Sequence, residues 1–62
     1  MKVKEVLRLL CNDGWRRVSS GGCHRQFEHP IKPGRVTVSG EINDDLPPAT
    51  LNSILEQARL KE

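Results

Sequence analysis

His24 sits in the run Gly22-Cys23-His24-Arg25-Gln26-Phe27, in a stretch rich in cations. An imidazole titrates near pH 6.5 in model peptides, so one residue can take up or release a proton close to neutrality. A chain of 62 residues offers few other reactive groups. The chemistry that asks least of such a chain is RNA transesterification. A base removes the proton of a ribose 2′-hydroxyl, the freed oxygen attacks the adjacent phosphorus, and the 5′-oxygen leaves. The nucleophile belongs to the substrate, so the reaction needs no protein nucleophile, no metal and no cofactor. Arg25 would stabilise the charge that builds on the phosphate. The plain alternative is an exposed histidine with no task.

Other reactive combinations fit less well. His29 precedes Pro30, where a hydrogen-bonding role in a turn is the default. Cys23 and His24 are adjacent, so on a strand their side chains diverge, which suits neither one tetrahedral metal nor a cysteine–histidine pair. Cys11 lies in a helical pattern and there is no C-x2-C pair, so no metal site is expected. Ser19 and Ser20 lack the strand–turn–helix elbow of a serine hydrolase. Gly21-Gly22 is not followed by the Lys and Ser/Thr of a phosphate loop; it reads as a tight turn that also lets RNA approach the backbone beside His24. Arg16, Arg17, Arg25, Lys32 and Arg35 are candidates for a surface that tracks phosphates. Trp15 and Phe27 read as core, so base reading by aromatic stacking is not expected.

The elements that must position His24 follow from periodicity. Val3, Val6, Leu7 and Leu10 fall on one helical face, and Asn12-Asp13-Gly14 ends that helix. Trp15–Ser20 and His24–His29 read as strands around Gly21-Gly22, and Arg35–Ser39 as a third strand after the turn His29-Pro30-Ile31-Lys32-Pro33-Gly34. Asp45 ahead of Leu46-Pro47-Pro48 reads as a cap, and Leu51, Ile54, Leu55 and Ala58 mark a second amphipathic helix ending near Leu60. The expected fold is α+β, helix–three strands–helix, with two helices on one face of an antiparallel meander. Phe27, Val36 and Val38 would face the helices. His24, Gln26, Glu28, Arg35 and Thr37 would lie on the open face.

Length allows one small domain over residues 1–62. No apolar run approaches the roughly 20 residues of a membrane span, and no secretory leader is evident. With two cysteines, at best one disulfide could form, so a reduced, cytoplasmic protein is expected. Net charge is +2 but unevenly spread. Residues 1–40 hold eight basic against three acidic groups, and residues 41–62 hold two against five. A basic first part fits a polyanion such as RNA, or simply a solvated surface. Residues alone leave three classes open: a ribonuclease, a non-catalytic RNA-binding module, and an interaction protein whose open sheet face docks another chain.

Several blocks then stand in order: Gly14-Trp15, Gly22–Phe27 with His29-Pro30, Gly34-Arg35-Val36-Thr37-Val38, and Leu46-Pro47-Pro48-Ala49-Thr50-Leu51-Asn52-Ser53-Ile54-Leu55. Together they closely resemble the HicA (YcfA-like) family of bacterial toxins from about Val3 to Leu60. The resemblance implies an α-β-β-β-α fold like that of double-stranded-RNA-binding domains. It also implies a metal-independent messenger RNA interferase. The catalytic histidine of the family's Gly-Ser-His motif maps onto His24 and its glycine onto Gly22. Gly22, Arg25, Gln26, Lys32 and Arg35 are then the candidate RNA contacts. The implied partner is a HicB antitoxin covering the His24 face, with DNA contacted only through that antitoxin. Two departures stand out: Cys23 replaces the family's serine, and Phe27 stands where tyrosine is common.

Overall fold

The computed structural model describes residues 1–21 and 24–60. Its elements run α1 (Val3–Asp13), β1 (Arg16–Gly21), β2 (His24–Glu28), β3 (Arg35–Ser39) and α2 (Pro48–Gln57). This is the expected α-β-β-β-α order, and the strands form one antiparallel sheet in the order β1-β2-β3. Of the turn expected at Gly21-Gly22, Gly21 ends β1 opposite His24, while Gly22, like Cys23, lies outside the described residues.

Helix α1 forms because its apolar side chains recur on one face, and Val3, Val6 and Leu10 are buried there. Its free amides are satisfied by a loop rather than by a side-chain cap. Val3 N–H donates to the Asp44 carbonyl at 2.9 Å and Lys4 N–H to the Ile42 carbonyl at 3.0 Å. Gly14 closes the other end with φ of +103°, a left-handed turn that costs an L side chain strain. The expected cap of α2 is corrected: Pro47, not Asp45, precedes the helix, and no side chain caps it. Asp45 instead pairs with Lys2 in an isolated bridge, so its backbone belongs to the loop that closes α1. Two successive prolines supply a pre-set φ and remove donors that would otherwise need capping. Helix α2 stops at Gln57, a turn earlier than the apolar pattern suggests.

The core lies between the helices and one sheet face. Val3, Val6 and Leu10 of α1 and Ile54 of α2, with Ala58 at that helix's end, pack with Trp15, Phe27, Val36, Val38 and Leu46. On β2 and β3 strict alternation holds: Phe27 pairs with Val36, both buried, while Gln26 pairs with Thr37 and Glu28 with Arg35. On β1 it does not. The pairing passes from Arg17–Phe27 to Ser19–Gln26, leaving Val18 as an extra, exposed residue of bulge type.

Candidate nucleic-acid interface

His24 begins β2 opposite Ser39 and is exposed. Because successive strand residues alternate, its face continues through Gln26 and Glu28 and across to Arg35, Thr37 and Ser39. Arg16 joins them opposite Glu28. Residues of one strand on the same face stand about 7 Å apart. The rows from His24 to Gln26 to Glu28 therefore step along the sheet in nucleotide-sized intervals. Arg35 lies down on this surface. Its Nε and Nη2 donate to Glu28 Oε2 at 3.0 and 2.7 Å, and its Nη1 donates to Gln26 Oε1 at 3.0 Å.

The structure does not bring Arg25 and Lys32 to this surface. Arg25 stands opposite Val38, on the side of the sheet that faces the helices, and its Nη1 donates to the Gly40 carbonyl at 2.8 Å. Lys32 is turned the other way, into the frame of the domain. Its amine donates to Asp13 at the end of α1 and to the Ala58 carbonyl at the end of α2, the latter at 3.2 Å. The Lys32 ammonium holds the Asp13 carboxyl below its usual range, outweighing the opposing effect of desolvation. Gly22, and Cys23 beside it, lie outside the described residues.

His29 takes the turn role expected of it. Its Nδ1 accepts the N–H groups of Ile31 and Lys32, each at 3.0 Å. That leaves the ring proton on Nε2, which donates to the Asp13 carbonyl at 2.6 Å. The ring also meets Trp15 edge-on, with centroids 5.2 Å apart. Sequence reasoning missed the depth of this tie: Gly14 leaves no space for a side chain, since a Cβ there would lie 2.8 Å from His29 Nε2. Among the described residues no cluster of three His, Cys, Asp or Glu side chains is placed to hold a metal ion. None of their helices is long and apolar enough to cross a membrane.

Two helices on one side of a three-stranded sheet, with a polar, histidine-bearing face on the other, define a small domain of the double-stranded-RNA-binding-domain-like class. The family model described as the HicA toxin of bacterial toxin-antitoxin matches residues 3–60. The chain belongs to the HicA toxin family, and membership of a toxin–antitoxin family implies an antitoxin partner. No curated protein matches the chain.

Proposed function

We propose that this HicA-family toxin is a metal-independent endoribonuclease that cuts messenger RNA, with His24 as its catalytic base. One observation carries the reading: in a chain of this family, the motif histidine stands exposed on the open sheet face among polar side chains. His24 removes the proton of a 2′-hydroxyl. The oxygen then forms a bond to the neighbouring phosphorus, and the bond to the 5′-oxygen breaks, with that oxygen taking a proton from water. The products are a cyclic phosphate and a 5′-hydroxyl. The same face, with helices on its other side only, is the surface that a HicB-type antitoxin covers to silence the toxin.

Incubation of the purified protein with a defined messenger RNA in excess EDTA tests this, beside His24→Ala. The natural sequence leaves cyclic-phosphate ends. The variant is slower by about 10²–10⁴-fold, the usual contribution of a general base. Equal cutting by both proteins removes His24 from the mechanism. RNA binding without cutting by either identifies a non-catalytic RNA-binding module.

A further inference from the structure

Gln26 lies one row from His24 on the open face, and its carboxamide is already engaged from behind. A free carboxamide can turn over and offer either its oxygen or its two N–H donors. The Arg35 guanidinium carries donors only, so the side of Gln26 that meets it must be the oxygen, as the 3.0 Å contact shows. Arg35 is held in turn by two bonds to one oxygen of Glu28. With Oε1 occupied, Gln26 has its two Nε2–H donors left for a ligand; among the described residues they donate to none. Glu28 also offsets the charge of Arg35, so the pair adds little attraction for phosphate. Its contribution is orientation.

We propose that Gln26 is a specificity-determining residue of this face, fixed as a hydrogen-bond donor to a nucleobase beside the cut. Arg35 and Glu28 are positioning residues that keep it so. The inference deepens the ribonuclease reading and rests on its assignment of this face to RNA. About 7 Å along the strand from His24, Gln26 reaches the nucleotide next to the reacting phosphate rather than the phosphate itself. A donor there selects bases that present acceptors. On the edge that a base turns to a major groove, guanine (N7 and O6) and uracil (O4) present acceptors, adenine an acceptor and an amine, and cytosine only its N4 amine, itself a donor.

The experiment maps cut sites on a random-sequence RNA pool for the natural protein, Gln26→Glu, Arg35→Met and Arg35→Lys, with circular dichroism confirming each fold. The natural protein favours guanine or uracil over cytosine at one flanking position by roughly tenfold, the scale of a good base contact. Gln26→Glu, which only accepts, reverses the preference. Arg35→Met lets the carboxamide turn and flattens it, and Arg35→Lys, which restores a donor behind Oε1, recovers it in part. Unchanged cut-site distributions in Gln26→Glu and Arg35→Met overturn the inference while leaving the ribonuclease intact. If the natural protein makes no cuts, the ribonuclease reading fails instead. Affinities of the same proteins for short guanine-, uracil- and cytosine-rich oligonucleotides then decide the Gln26 preference: the same ordering supports it, and equal affinities overturn it.

Discussion

His24 and His29 are five positions apart and do opposite work. Both ring nitrogens of His29 are bound to backbone, tying the turn before β3 to the end of α1. His24 is exposed and belongs to the surface. His29→Ala should therefore cost about 1–3 kcal/mol, since the partly buried Lys32 amide and Asp13 carbonyl lose their partner. Gly14→Ala should cost at least about 1–2 kcal/mol from its φ of +103° alone, before His29 is displaced by the new Cβ. Urea unfolding reads both as lower midpoints at unchanged slope. In the same titration His24→Ala should fall within about 0.5 kcal/mol of the natural protein, as exposed substitutions do. A melt that separates His24→Ala from the natural sequence would show that its loss of activity is structural.

Among elements, β1 differs from the other two strands, because its extra residue Val18 interrupts the pairing without reversing it. Deleting Val18 should leave every partner in place and a folded protein. Deleting Thr37 should turn Val36 or Val38 onto the open face and cost at least the burial of one valine, about 1.5–3 kcal/mol. Thermal unfolding followed by circular dichroism distinguishes the two. Val18 also marks where sequence reasoning stops. The helix stripes, the β2–β3 alternation and the placing of His24 on the open face were legible because each depends on spacing within one segment. Nothing in Arg16-Arg17-Val18 announces a bulge, since no glycine or proline is there to mark it. Asp45 looked like a cap because its type suits one, but two prolines had already removed the need. The ties of Lys32 to Asp13 and Ala58 were not legible, because those partners lie far off in the chain. Arg25 was drawn into the site by its charge, although strand alternation alone sets it on the face opposite His24, where it bonds the Gly40 carbonyl.

For the molecule as a whole, the ends of α1 and α2 and the β2–β3 turn meet at Lys32. The carboxyl of Asp13 titrates lower in the fold than in the unfolded chain, because the Lys32 ammonium favours its charged form. The unfolded chain therefore takes up the proton first as acid is added. The stabilisation is present in full above the usual carboxylate value of about 3.9 and is lost as the pH falls through the depressed folded value. Asp13→Asn should lose this part of the acid dependence, so its stability should fall less steeply than that of the natural protein below about pH 4. Identical acid limbs in denaturant titrations of the two proteins would refute the link. The pair is partly open to water, so the effect is small beside that of the core.

The Lys32 junction also has a history in time. Its amine reaches back 19 residues to Asp13 and forward 26 to Ala58. The bond to Asp13 needs the β2–β3 turn in place against α1, and the bond to Ala58 needs α2 docked as well, so we expect both to close late in folding. Contacts made that late govern how fast a protein comes apart rather than how fast it assembles. In Lys32→Met the unfolding arm of the chevron should rise while the refolding arm stays where it was. A clasp of this kind lengthens the lifetime of the folded toxin and leaves its rate of formation to the core.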